Sequence, residues 1–114
     1  MGWKIVRDHQ REFCERTGVS GRWRVSPDVV AALAKKLFEE AAEFTEAHDP
    51  EELYDVRDVL QELLHVCDPY GEAEVYHAQK VAIVGLFGSH LEWNPVPERN
   101  LAIEQLTQKA GMHD

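Results

Sequence analysis

Apolar residues recur at helical spacing along much of the chain, and two segments carry the clearest stripes. The first stripe comprises Val30, Leu33, Leu37, Ala41 and Phe44, and the second comprises Leu53, Val56, Leu60, Leu64 and Cys67. Spacings of three and four residues place each set along one face of an α-helix. No segment shows the strict alternation typical of a half-buried strand. The pattern predicts an all-α fold.

Start and stop signals bound the two striped helices. Ser26-Pro27 predicts the start of the second helix, with Ser26 as its cap, and this helix should run to about Ala47. Asp49-Pro50 repeats the signal after a link of about one residue, and Asp68-Pro69 ends the third helix. A link that short usually joins antiparallel neighbours. We therefore expect the second and third helices to form a hairpin.

Weaker patterns flank the hairpin. They predict a first helix over Lys4–Arg16 that ends at Gly18, and a fourth over Tyr70–Val84 that ends at Gly85. Tyr76 and the apolar end of the fourth helix should be buried. Loop chemistry follows up to residue 97, and a short terminal helix is predicted over residues 101–109 with a frayed end after it.

Length and composition favour one soluble domain. The chain has 114 residues, of which 44% are hydrophobic. We expect a single domain over residues 1–114, with a core over about 4–93 and a tail over 94–114. Cys14 and Cys67 lie far apart among apolar residues, which predicts reduced core thiols.

The charge balance excludes several classes of partner. A net charge of −9 argues against duplex nucleic acid and an anionic membrane surface, which both need clustered Lys and Arg. The sequence contains no long apolar run for a membrane span and no secretory signal. We therefore expect a cytoplasmic protein.

Carboxylates gather on the two helices of the predicted hairpin, at Glu39, Glu40 and Glu43 and again at Glu52 and Asp55. Successive residues of a helix are rotated by about 100°. On the second helix, Glu40 and Glu43 lie to one side of the apolar stripe. On the third helix, Glu52 and Asp55 lie to the same rotational side of its stripe. In an antiparallel pair these sides meet, with Glu40 level with Asp55 and Glu43 level with Glu52.

Four like charges so close would repel one another, and a divalent cation would relieve the repulsion. Oxygen-only ligands favour Mg²⁺, with Mn²⁺ as a substitute. The alternative is that these glutamates belong to ordinary solvated helix faces.

Here the sequence resembles the all-α nucleoside triphosphate pyrophosphohydrolases of the MazG type, whose signature is EExxE followed by ExxD. Residues 39–43 read Glu-Glu-Ala-Ala-Glu and residues 52–55 read Glu-Leu-Tyr-Asp. Residues 4–8, Lys-Ile-Val-Arg-Asp, and Lys80 with the later Gly85 and Phe87 are similar to elements of the phosphoribosyl-ATP pyrophosphatase-like branch. The likeness spans about residues 4–93. The chain departs from that branch at residues 9–11, His-Gln-Arg, and at Val84.

The resemblance implies Mg²⁺-dependent cleavage between the α and β phosphates of a nucleotide, giving the monophosphate and pyrophosphate. It implies that the metal is held by Glu40, Glu43, Glu52 and Asp55. Glu39 would then position or deprotonate the attacking water.

The remaining candidates are substrate contacts. Phosphates would meet Lys80, Lys36 and Arg7, whereas Phe87 and His90, with Trp23 and Trp93, would stack on a base or line the pocket. The alternative for Lys36 is a surface ion pair with Glu40. The alternative for the aromatic residues is that they anchor loops to the body of the protein.

A hairpin of this size buries little on its own. We expect a homodimer that completes a four-helix bundle and the substrate pocket, with a tetramer as the alternative.

Two further functional classes stay open. Glu62 with His65 and Glu74 with His77 have the ExxH spacing of di-iron carboxylate bundles. However, Glu62 falls nearly opposite its apolar stripe. The other class is a non-catalytic helical module that dimerises or binds a metal and a nucleotide.

Overall fold

The protein is all-helical over the part that the structure, a computed structural model, describes, which is residues 2–95. This part contains four α-helices and no strands: α1 (Gln10–Thr17), α2 (Val29–Ala47), α3 (Pro50–Cys67) and α4 (Glu72–Val84). The prediction of an all-α fold is confirmed for these residues. The helix predicted over residues 101–109 lies outside them. None of the four helices is long and apolar enough to cross a membrane.

Helices α2 and α3 form the predicted hairpin and pack against each other. His48 ends α2 with a left-handed backbone (φ 52°), and its N–H donates to the Phe44 carbonyl at 2.7 Å. Asp49 then caps α3 by accepting the Glu51 N–H at 3.1 Å, and Pro50 occupies the first turn. Because only two residues link helices that pack side by side, α2 and α3 run antiparallel.

The start of α2 differs from the prediction. Asp28, not Ser26, caps the helix, since its carboxylate accepts the Ala31 N–H at 3.1 Å. Ser26 Oγ accepts the Asp28 N–H at 3.3 Å and so contacts the backbone of the capping residue. A carboxylate at this position also interacts favourably with the positive end of the helix dipole, which explains why it displaces the serine.

The start of α1 was predicted too early. Residues 4–8 are not helical, and α1 begins at Gln10. Ile5 and Val6 are β-branched and favour extended backbone. Arg7 in this segment forms ion pairs with carboxylates on α3, which hold the segment against the hairpin. The predicted end is confirmed: Gly18 has a left-handed backbone, with φ 76°.

The start of α4 was also predicted too early, because the chain turns at residues 69–71 and the helix begins at Glu72. The carboxylate of Asp68 caps it by accepting the Ala73 N–H at 3.0 Å and the Glu74 N–H at 3.1 Å. Gly85 follows the helix with φ 77°, as its predicted role as the stop requires.

Burial is sparse within the described chain. Among residues 2–95 the buried apolar side chains are Cys14 and Leu33. The predicted burial of Cys67, Tyr76 and the end of α4 is wrong: Cys67 is exposed, and Tyr76 is 73% exposed. The reason is that α2 and α3 are the one pair of helices within residues 2–95 that pack together, so no other helix of this part covers α4.

The chain divides into two compact units, Met1–Lys80 and Val81–Asp114. The first contains α1, the hairpin and most of α4, and therefore every carboxylate of the predicted acidic site. The expectation of a single domain stays a prediction.

Candidate acidic site on the α2–α3 hairpin

Three carboxylates converge on one side of the hairpin. Glu40 of α2 and Glu52 and Asp55 of α3 each offer an oxygen, and these three oxygens lie within 4.8 Å of one another. Glu40 is the most enclosed, at 7% exposed, and the other two are half-buried. Glu52 and Asp55 are three residues apart and so share a helix face, and the antiparallel pairing turns that face toward Glu40. We call these three residues the acidic cluster.

Glu43 lies beside the cluster but is not part of that close group. Its side chain is exposed, and it reaches Glu52. A hydrogen bond between two carboxyl groups forms only when one of them carries a proton. The structure therefore brings together three of the four predicted metal ligands and places the fourth against Glu52.

Glu52 is the electrostatic centre of the cluster. Burial raises its pKa most, followed by the hydrogen bond with Glu43 and then by the negative charges of Glu43, Asp55 and Glu40. Its Oε2 atom is enclosed and has no hydrogen-bond partner among the described residues. An enclosed carboxylate oxygen without a donor favours either a proton or a cation at that position.

Two cationic side chains contact the cluster. Lys36 Nζ lies 3.0 Å from Glu40 Oε1, one helical turn away, so the ion pair considered for this lysine is present. Arg7 Nη2 lies 2.6 Å from Asp55 Oδ1, and Arg7 Nη1 lies 3.0 Å from Asp58 Oδ2. The hydrogen bond with Asp58 raises the pKa of the Arg7 guanidinium, burial lowers it, and Asp55 raises it further. The predicted phosphate-binding role of both side chains stays a prediction.

The other predicted site residues are more scattered. Glu39 lies on α2, half-buried, and lines a narrow cleft beside the cluster. Lys80 is exposed on α4. Phe87 is 91% exposed and His90 has a left-handed backbone, and both follow α4 in the unit Val81–Asp114.

The residues of the two ExxH spacings do not join the cluster. Glu62, His65, Glu74 and His77 are all exposed. Within residues 2–95, the acidic cluster is the one group of three or more potential metal ligands whose ligand atoms lie close enough together to share an ion. The described part of the chain thus contains no assembled di-iron site.

Sequence reasoning missed Asp58 as a partner of Arg7, and it missed Lys4 and Lys35, which line the narrow cleft with Lys36 and Glu39. Asp58 follows Asp55 by three residues and so lies on the same helix face. Helical spacing could therefore have predicted that a partner of Asp55 also reaches Asp58. Nothing local indicated that Arg7 lies against α3, because that contact joins residues some fifty positions apart in the sequence.

The cluster has the donor set of a hard divalent cation. All its ligand atoms are carboxylate oxygens, as Mg²⁺ prefers, and the enclosed Glu52 Oε2 has no competing donor in the described chain. Lys36 and Arg7 each hold one oxygen of a neighbouring carboxylate, which leaves the second oxygen of Glu40 and of Asp55 without an ion pair in this part of the chain. These residues fit a divalent cation.

Comparisons of the chain with protein-family models, with curated proteins and with solved structures found no match. The likeness to the MazG type therefore rests on the motifs in the sequence.

Proposed function

We propose that the protein is a Mg²⁺-dependent nucleotide pyrophosphohydrolase of the MazG type, cleaving the bond between the α and β phosphates. The observation that carries the proposal is the convergence of Glu40, Glu52 and Asp55 on the hairpin, with Glu52 Oε2 enclosed and without a donor in the described chain. These residues belong to the two motifs that the resemblance rests on, and they lie on consecutive helices.

The carboxylates would hold the metal, with Glu43 joining through its position beside Glu52. When bound, a divalent cation polarises phosphoryl oxygens and neutralises the charge that develops on them during cleavage. It also lets an acidic protein accept an anionic substrate, since it offsets the repulsion between the two.

The chain's own residues would supply the rest of the chemistry. The Glu39 carboxylate, one residue before the cluster on α2, accepts a proton from the attacking water and orients it. Lys36 lies at the edge of the cluster; it turns from Glu40 toward a phosphate oxygen when substrate adds negative charge there.

We further propose that two chains associate into a four-helix bundle. The support is the amount of apolar surface that the described chain leaves uncovered: on α3 alone Leu53, Leu60 and Leu64 are 47%, 42% and 53% exposed. A second hairpin laid against this stripe would bury it.

A substrate panel tests the activity. Purified protein is incubated with canonical and modified nucleoside triphosphates and with phosphoribosyl-ATP in the presence of Mg²⁺, and pyrophosphate and monophosphate are measured. We expect release from at least one nucleotide, abolished by EDTA and reduced at least about a hundredfold by Asp55→Asn. Glu62→Gln, which changes an exposed glutamate on the same helix, should keep wild-type turnover.

Two outcomes would contradict the proposal. Wild-type turnover by Asp55→Asn would remove Asp55 from the site. Mg²⁺ binding without pyrophosphate release from any nucleotide would instead favour a non-catalytic metal- and nucleotide-binding module.

A further inference from the structure

A group of cationic side chains lies next to the acidic cluster, in a chain whose charge is strongly negative. Lys4, Lys35 and Lys36 line a narrow cleft between the N-terminal segment and α2, together with Trp3 and Glu39. With 12 Lys and Arg against 21 Asp and Glu in the sequence, three lysines around one cleft form a local reversal of charge. A positive patch of this kind attracts anions.

Two arginines extend the patch through Trp3. The guanidinium carbon of Arg24 lies 4.2 Å from the centroid of the Trp3 ring, and that of Arg22 lies 5.5 Å from it. Stacking on an indole holds a guanidinium in place while its N–H groups stay available at the ring's edge. Trp3 therefore anchors two forked donors beside the three lysines. We call these five cationic residues, with Trp3, the basic cleft.

The basic cleft and the acidic cluster share a residue. Lys36 lines the cleft, and its Nζ lies 3.0 Å from Glu40 Oε1. Glu39, the neighbour of Glu40, also lines the cleft. An anion at the cleft is thus adjacent to any cation held by the cluster.

We infer that the basic cleft binds the pyrophosphate portion of the nucleotide, an inference that rests on the proposed function. The two terminal phosphates carry most of the charge of a nucleoside triphosphate, so they match a patch of five cations better than a nucleoside does. The cleft itself has a volume of about 20 Å³, too small to enclose a phosphate. The phosphates therefore lie across its mouth, where exposed Lys4 and Lys35 reach them.

The arrangement assigns different chemistry to successive turns of α2. The carboxylates of the acidic cluster would hold the cation, and Lys35 and Lys36, one helical turn before Glu39 and Glu40, meet the leaving group directly. Arg22 and Arg24 supply forked donors from the loop before the helix. The sequence motifs include none of Trp3, Arg22, Arg24 and Lys35, and Lys4 begins the element at residues 4–8 without a role of its own in the resemblance.

Binding of inorganic pyrophosphate tests the inference. Its dissociation constant is measured by calorimetry at low ionic strength with Mg²⁺ present, for the wild type and for the double variant Lys4→Gln/Lys35→Gln. We expect the double variant to bind about tenfold more weakly, because two charge-assisted contacts are lost. Both lysines are exposed, so the fold should tolerate the change, and far-ultraviolet circular dichroism verifies helicity.

The matched control removes the same amount of charge elsewhere. Arg11 and Arg16 are exposed residues of α1 outside the cleft, and Arg11→Gln/Arg16→Gln should bind pyrophosphate like the wild type. A control that weakens binding as much as the cleft variant would mean that net charge, not the cleft, sets the affinity, and would overturn the inference. Wild-type affinity in the cleft variant, or no pyrophosphate binding by the wild type, would also overturn it.

The two proposals fail separately. If no nucleotide in the panel is hydrolysed, the proposed activity fails, whereas the cleft assay needs no turnover. If nucleotides are hydrolysed and the cleft variant binds pyrophosphate normally, the activity stands and the cleft is not its pyrophosphate subsite.

Discussion

The enclosed Oε2 atom of Glu52 lacks a hydrogen-bond donor among the described residues, and carboxylates on both helices surround its side chain. Burial and these neighbours raise the pKa of Glu52, so the folded chain binds a proton there more tightly than the unfolded chain does. The stabilisation from this group is present at low pH. It is lost as the pH rises from the ordinary glutamate pKa of about 4.3 through the raised value.

Glu52→Gln should remove that pH dependence. In EDTA, we expect the free energy of unfolding of the wild type to fall relative to that of the variant as the pH increases across this window, because only the wild type must ionise the carboxyl group of residue 52. Urea unfolding at a series of pH values measures it, with Glu62→Gln as the control that should follow the wild type. Parallel curves for the wild type and Glu52→Gln would contradict the electrostatic account of the cluster.

Arg7 forms an ion pair with an oxygen of the proposed metal site, because its Nη2 lies 2.6 Å from Asp55 Oδ1. Its positive charge also repels any cation bound nearby. Arg7→Ala should therefore tighten Mg²⁺ or Mn²⁺ binding about two- to fivefold in the absence of nucleotide, a modest gain because the pair is solvent-exposed. Calorimetric titration with the metal alone measures the change.

The control for Arg7 is Arg11→Ala, because Arg11 pairs with Glu15 within α1 at 3.2 Å. It should leave the metal affinity unchanged. Weaker metal binding in Arg7→Ala would show instead that the arginine positions Asp55 for the metal.

At the scale of the helices, the hairpin brings the two acidic motifs together. Each motif by itself is a row of acids on one helix, and the turn at His48 and Asp49 brings the rows face to face. Caps at the helix starts stabilise the two helices, because each aspartate cap accepts a backbone N–H that has no partner within the helix.

Asp68 is the most connected of these caps. It ends α3, and its two carboxylate oxygens accept the N–H groups of Ala73 and Glu74 in α4. Asp68→Ala should lower the free energy of unfolding by about 1 kcal/mol, as measured by urea denaturation. Asp68→Asn, which keeps one oxygen acceptor, should lose less. Equal stability of Asp68→Ala and the wild type would show that α4 does not depend on this cap.

At the scale of the whole molecule, the exposed apolar stripe of α3 predicts self-association. Leu64→Glu places a charge on that stripe, where Leu64 is 53% exposed in the single chain. We expect sedimentation velocity at micromolar concentration to show a dimer for the wild type and a monomer for the variant, because the charge would be buried in the interface.

Val25→Glu is the control for association, since Val25 is 89% exposed and precedes α2. It should sediment like the wild type. A wild type that is monomeric at this concentration would contradict the four-helix bundle.

The sequence by itself determined the features that depend on neighbouring residues. Helical period located α2 and α3, the Asp49-Pro50 pair marked the start of α3, and Gly18 and Gly85 marked two helix ends, because periodicity and capping act within a few residues. The link of two residues also made the hairpin predictable. The hairpin and the rotational positions of the acids together predicted that Glu40 lies close to Glu52 and Asp55.

Only the tertiary structure decided which charged groups meet across the chain. It brings Arg7 against Asp55 and Asp58, and it gathers Lys4 and Lys35 around the cleft that Trp3 lines. It also leaves Glu43 outside the close group of carboxylates and Cys67 exposed. Spacing along a helix cannot determine such contacts, because they depend on where a non-helical segment lies on the hairpin and on which faces other helices cover.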